Sequence, residues 1–268
     1  MLLNGFLFNS IISSFTGTQL DSICYGQNPQ MIAGTEPVGG VEPYIFRWEK
    51  KGDEEVNWSL VPGSGSTQNL VLSDPETDTL QFRRVVTDSN ASPVSDTSKA
   101  VTIIVQPLIT DNVVGYDTII CAGQDPELLV PANAGPGGGN GIYRYTWIDS
   151  TAVDNWTFAP GTGTNADYDP PVLTGSTYYK RVINSGRCID TSNVVSVEVL
   201  PLIANNTIAS DQLICEDNNF TDLSGSNPSG GDGAYTFEWL SSTDQTSWNT
   251  AEGTSDAKNY NPDESSPD

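Results

Sequence analysis

Short runs in which apolar and polar residues alternate recur along the whole chain. Tyr44-Ile45-Phe46-Arg47-Trp48, Tyr143-Arg144-Tyr145-Thr146-Trp147 and Tyr235-Thr236-Phe237-Glu238-Trp239 each have a period of two, which puts the aromatic residues on one face of a strand. Ala100-Val101-Thr102-Ile103-Ile104-Val105 and Val194-Val195-Ser196-Val197-Glu198-Val199 read as further strands, rich in β-branched residues. No segment sustains a 3.6-residue period, so no helix is predicted. Short strands separated by Gly/Pro turns predict an all-β fold, an antiparallel β-sandwich of about seven strands per domain.

The pattern repeats. Cys24 recurs as Cys121 and Cys215, at spacings of 97 and 94 residues. Trp48 recurs as Trp147 and Trp239, and Trp58 as Trp156 and Trp248. A period close to one small domain predicts a tandem array of domains in an extended rod. Pro107 and Pro201 each stand fourteen residues before their cysteine, and Ser10 takes the same place before Cys24. This register divides the chain into repeat 1 at 10–106, repeat 2 at 107–200 and an incomplete repeat 3 at 201–268. Residues 1–9 are then the last strand of a preceding or neighbouring domain. The third copy stops where the second continues with its last two strands and second cysteine. The chain is expected to be a piece of a longer repeat protein; alternatively, its first strand completes a neighbouring subunit by strand addition. Junctions as short as Gln106-Pro107-Leu108 and Leu200-Pro201-Leu202 leave almost no linker, so the rod should be stiff.

Composition narrows the function. The chain carries 34 acidic and 11 basic residues, for a formal net charge of −23, which repels nucleic acid and anionic headgroups. Six Trp, ten Tyr and eight Phe are too many for a disordered acidic tail. With no histidine, most acid–base and zinc chemistry at neutral pH is removed, although a carboxylate pair remains open to a glycosidase. A non-catalytic role is expected. Residues 1–12 are apolar but lack a basic n-region and are broken by Asn4, Gly5, Asn9 and Ser10, so they do not read as a signal peptide. No stretch is long enough for membrane insertion.

The four cysteines are the candidate chemistry. Cys121 opens an early strand of repeat 2 and Cys188 lies in the turn between its last two strands, so a Cys121–Cys188 disulfide would staple the two sheets, by about 4 kcal/mol on the chain-entropy account. Repeat 1 has Val94 near the second position, which leaves Cys24 without a partner in its own repeat. The alternative is four reduced, buried thiols. A disulfide would favour an extracellular setting. The first Trp of each copy reads as core rather than sugar-stacking, and the second as partly buried packing. Asp53, Glu54, Glu55, Asp149 and Asp154 are the candidate Ca²⁺ ligands, but none has calcium-loop spacing, so solvated hairpins are expected and no cofactor is predicted. Gly137-Gly138-Gly139-Asn140-Gly141 lacks the Lys-Ser/Thr ending of a phosphate loop and reads as a flexible turn.

The string Ile-Cys-x-Gly-Gln-x-Pro at Cys24–Pro29 and Cys121–Pro126, the run ending at Trp147, and Thr-Tyr-Tyr-Lys-Arg-Val leading to Cys188-Ile189-Asp190-Thr191-Ser192-Asn193 resemble the Ig/PKD-like repeats of giant gliding-motility adhesins of Bacteroidota, exported by the type IX system. The resemblance covers nearly the whole chain and is strongest in repeat 2. It implies a cell-surface filament whose repeats act as spacer and adhesive, with adjacent repeats and a surface polysaccharide or substratum as partners. It also implies O-glycosylation at Ser22, Thr79, Thr118 and Ser150, which stand in Asp-Ser/Thr-x triplets. An accessory binding module of a secreted polysaccharide-degrading enzyme, or a pilus-like subunit, is the alternative reading.

Overall fold

The computed structural model describes residues 11–13, 21–29, 31–72, 75–152, 155–209, 211–215 and 218–262. The expected strand formed by residues 1–9 lies outside these. The described structure is built entirely from strands and turns. In the first unit these are β1 (Ile11–Ser13), β2 (Asp21–Cys24), β3 (Ile32–Gly34), β4 (Ile45–Gly52), β5 (Ser59–Leu60), β6 (Leu80–Thr87), β7 (Ser95–Thr97) and β8 (Val101–Gln106). The second unit repeats β2 and β4 to β8 as β9 (Thr118–Cys121), β10 (Arg144–Ser150), β11 (Thr157–Phe158), β12 (Thr177–Ser185), β13 (Cys188–Thr191) and β14 (Val195–Leu200). A third set holds β15 (Leu240–Ser241) and β16 (Asn249–Thr250).

Each of the first two units has a six-stranded sheet, ordered β2-β8-β6-β4-β5 with β7 on β6, and β9-β14-β12-β10-β11 with β13 on β12. The facing layer is thinner. β1 pairs with β3 and Ile32 bridges Leu70; in the second unit Val114 bridges Pro131 and Leu129 bridges Tyr168. The pairing differs from a purely antiparallel sandwich in one respect. The chain leaves the thin layer and crosses to the large sheet, so β2 runs parallel to β8 and β9 parallel to β14.

Alternation dictates the core. Along β12, Thr177, Tyr179, Arg181, Ile183 and Ser185 are buried while the residues between them are not. Trp48 and Trp147 are fully buried, each with its indole N–H donated across the sandwich, to Thr67 O and Asn165 O at 3.0 Å. Trp239 repeats the bond to Ala257 O and stacks on Tyr260 as Trp147 stacks on Tyr168. Without strands behind them among the described residues, 235–239 do not form the strand their alternation predicts; regular structure begins at Leu240.

The unexpected core residue is arginine. Arg84 and Arg181 are both fully buried, at matching places on β6 and β12 opposite Trp48 and Trp147. Arg84 donates to Gln68 O and Thr35 O, at 2.9 and 2.7 Å, and lies over the Phe46 and Trp48 rings. Arg181 donates to Asn112 Oδ1 and Ala166 O, both at 3.0 Å, and lies over Tyr145 and Trp147. Each guanidinium thus ties its strand to residues beyond its own sheet by charged hydrogen bonds and cation–π contact. Burial lowers both pKa values from the ordinary arginine value.

Candidate functional site

Two of the four cysteines, Cys24 and Cys188, meet where the first unit joins the second. β8 ends at Gln106 and the second unit begins at Pro107. The parallel pairing brings Cys24 alongside Gln106, and Tyr25 N–H donates to Gln106 O at 2.8 Å. From the other side, the hairpin joining β12 to β13 reaches back to the same residue. Arg187 N–H donates to Gln106 Oε1 at 2.9 Å, and Gly186 turns there with φ +61°. A Cβ on Gly186 would lie 2.4 Å from that oxygen and would displace the Gln106 side chain, on top of the cost of a positive φ.

Cys24 and Cys188 meet at this point in a disulfide, with their Cα atoms 5.0 Å apart and 164 residues apart in sequence. The bond is buried, at 5% and 1% exposure of its residues, and packs with Ile109 and Ile183, flanked by Tyr143 and Tyr145. The expected Cys121–Cys188 bridge is therefore incorrect. Cys121 is a free thiol beside Leu200, at the end of β12 marked by Thr177, whereas Cys188 pairs with Ser185 at the other end. A strand the length of β12 separates them by roughly 30 Å, far beyond the 4–7 Å that a disulfide spans. Cys24 does lack a partner in its own unit, and Val94 does occupy the hairpin position, across from Asp88 as Cys188 is from Ser185. The staple joins two units rather than two sheets.

The glycine run forms a turn, as expected, and belongs to this junction. Gly139 N–H donates to Pro107 O at 2.8 Å. A Cβ on Gly138 (φ +76°) would lie 1.8 Å from Leu108 O, and one on Gly139 (φ +60°) 2.2 Å from Ser185 Oγ. Tyr143 secures the loop by donating its hydroxyl to Gly138 O at 2.9 Å, as Tyr44 does to Gly39 O and Tyr235 to Gly230 O.

The second junction repeats these contacts. Cys121 pairs alongside Leu200 and Ala122 N–H donates to Leu200 O. Gly231 N–H donates to Pro201 O at 2.7 Å, and a Cβ on Gly230 would lie 2.0 Å from Leu202 O. Cys121 and Cys24 are also held alike, their backbone N–H groups donating to Gln124 Oε1 and Gln27 Oε1.

The remaining candidates fall apart as sites. Among the described residues, no three His, Cys, Asp or Glu side chains gather to hold a metal ion, and no helix is long and apolar enough to cross a membrane. Glu55 accepts from Gly52 N–H and Asp149 from the Thr157 hydroxyl, both closing hairpins; Asp154 lies outside the described residues. Two of the second tryptophans lie under cations from β6 and β12. Arg83 is 4.2 Å from the Trp58 ring and Lys180 is 4.1 Å from the Trp156 ring, while Trp248 is exposed. Of the four glycosylation candidates, Ser22, Thr79 and Thr118 are partly exposed. The Thr79 hydroxyl accepts from Val105 N–H. Ser150 is buried and its hydroxyl donates to Ala152 O, which leaves no space for a sugar.

No curated protein matches the chain. Similar solved structures include fibronectin(III)-like modules of Clostridium thermocellum CbhA, at 9% identity over 72% of this chain and 94% of that one, TM-score 0.35. Extracellular domains 3–5 of Drosophila OTK align at 10% identity over 89% and 82%, TM-score 0.35. Murine CEACAM1b aligns at 12% over 72% and 100%, TM-score 0.33. A family profile described as "Domain of unknown function (DUF8696)" matches residues 13–107, 110–201 and 204–266. These three successive matches follow the repeats and cover most of the chain, which therefore belongs to the DUF8696 family.

Proposed function

We propose that this chain is a non-catalytic repeat segment of a secreted cell-surface filament, in which the sandwich units serve as spacer and adhesive. The observation that carries the reading is the buried Cys24–Cys188 bond across the junction, with the Gln106 side chain, Gly186 and the Gly138–Gly139 loop closed around it. A junction fastened by covalent and hydrogen bonds holds its two units at one angle, which a spacer requires and a hinge between binding modules does not. A stable disulfide also fits an oxidising, extracellular setting. The sequence resemblance supports a gliding-motility adhesin of Bacteroidota, with a surface polysaccharide or substratum as the contacted partner and glycans on Ser22, Thr79 or Thr118. The net charge of −23 argues against nucleic acid and anionic membranes as partners.

Small-angle scattering of the full chain tests the spacer role. An elongated particle whose dimensions do not change between low and high salt is expected. A compact particle, or one that collapses as salt screens the charge beyond roughly 8–10 Å, overturns the reading. Antibody labelling of intact, unpermeabilised cells tests the location, with signal that appears only after permeabilisation as the contrary result.

A further inference from the structure

We infer that the Cys24–Cys188 bond is a load bypass: tension along the chain passes from Cys24 directly to Cys188 and never enters residues 25–187. This deepens the spacer reading and rests on it. A pull transmitted through a covalent network follows the shortest bonded route, and the disulfide shortens that route by a separation of 164 residues. Everything inside the loop is then slack, including β3 to β12 and both buried tryptophans, Trp48 and Trp147. The loaded path runs through β2, the disulfide, β13 and β14, and leaves at Leu200-Pro201. Its two flanking strands are well anchored: β2 lies beside β8, and β14 lies between β9 and β12.

Placement makes the device durable. The sulfurs are buried among Ile109, Ile183 and the flanking Tyr143 and Tyr145, so a dissolved reductant reaches them only once the junction opens. Because the bond joins adjacent units rather than the two sheets of one unit, it shields most of two cores at once. An intra-unit bond from Cys121 to Cys188 would shield less than half as many residues and would leave the first unit fully loaded.

Single-molecule force spectroscopy on the full chain, held by handles at its two ends without reductant, reads the bypass as contour length. Fully stretched, a loop of this separation hides roughly 55 nm, at 3.3–3.6 Å per residue. The Cys24→Ser/Cys188→Ser chain is expected to stretch about 2.5-fold further than the unreduced wild type. Cys121→Ser should keep the lock intact. Full extension does not depend on whether the double variant folds, so misfolding does not obscure the result. Equal contour lengths for wild type and double variant overturn the inference. A hidden length less than half of that expected overturns it too, since it reports a different cysteine pairing. A compact particle in scattering with an intact contour lock would instead defeat only the spacer reading.

Discussion

Replacing Arg181 by methionine keeps most of the side-chain volume and removes its charge and donors. Two opposing effects decide the outcome. Relief from burying a charge favours the variant, because the guanidinium is fully buried, has no carboxylate bonded to it among the described residues, and leaves Nη2 without a hydrogen-bond partner. Against this, the change strands Oδ1 of buried Asn112, at about 1–3 kcal/mol for a buried unsatisfied group, loses the bond to the carbonyl of exposed Ala166, and loses the cation–π contacts to Tyr145 and Trp147. Asn112 stays tethered, since its Nδ2 still donates to Arg181 O and Asp190 Oδ2. Retained methionine packing and charge relief cancel part of the loss, so a net destabilisation of about 1–3 kcal/mol is expected. Arg181→Ala adds a cavity and should cost about 3–5 kcal/mol. Hydrogen exchange of the β10 amides reports the second unit alone, which avoids treating a multi-unit chain as two-state. Protection in Arg181→Met equal to or above wild type would show that the arginine fastens nothing and only fills space.

Two further outcomes follow from the geometry. Gly138→Ala adds a Cβ 1.8 Å from Leu108 O to the roughly 1 kcal/mol cost of positive φ, whereas Gly141→Ala, at φ +78° in open space, carries only the second cost; peptide mapping without reductant should show less Cys24–Cys188 linkage in the first variant and no change in the second. Burial, with Asp149 and Asp169 adding to it, pushes the Tyr168 hydroxyl up to about 12, and burial first, then Tyr168 and Asp149, raises Tyr179 as well. The folded state thus favours the neutral phenols, so this stabilisation is complete below the unfolded value near 10 and is lost as pH rises through 12. Denaturation midpoints should fall from pH 9.5 to 11.5, and tyrosinate absorbance should show phenols that ionise late.

The strand pattern was legible because burial follows alternation. The predicted runs ending at Trp48 and Trp147 lie in β4 and β10, and those at Ala100–Val105 and Val194–Val199 differ from β8 and β14 by one residue. The tryptophans' core role followed from the same parity. Parity also pointed to Arg84 and Arg181, which stand two residues from Phe82 and Val86, and from Tyr179 and Ile183, all buried. An isolated arginine reads as surface because charge burial is costly, and only backbone carbonyls delivered by distant loops make it tolerable here. The disulfide was misassigned for a different reason. Repeats make within-copy pairing look natural, and pairing Cys188 with Cys121 or with Cys24 leaves two cysteines free in either case, so the count of thiols did not decide between them. The deciding fact, that β9 ends at one end of β12 and the hairpin lies at the other, is tertiary.

These two surprises belong together. An immunoglobulin variable domain sets a disulfide between its sheets against a buried tryptophan. Here arginine takes that place opposite Trp48 and Trp147. In the first unit the substitution is built into the backbone, since a Cβ on Gly34 would lie 1.8 Å from Arg84 Nη1. In the second, where Pro131 stands across from Val114, Asn112 comes up to the guanidinium instead. Hydrogen bonds and ring contacts suffice to join sheets that already share an apolar core, because the arginine works in a dry interior. Among the described residues, the junction between units has a small core of Cys24, Ile109, Ile183, Cys188 and two flanking tyrosines. Cross-linking is worth most where burial contributes least. Moving the covalent bond from the interior of a unit to the seam between units strengthens the seam, while arginine keeps each sandwich closed.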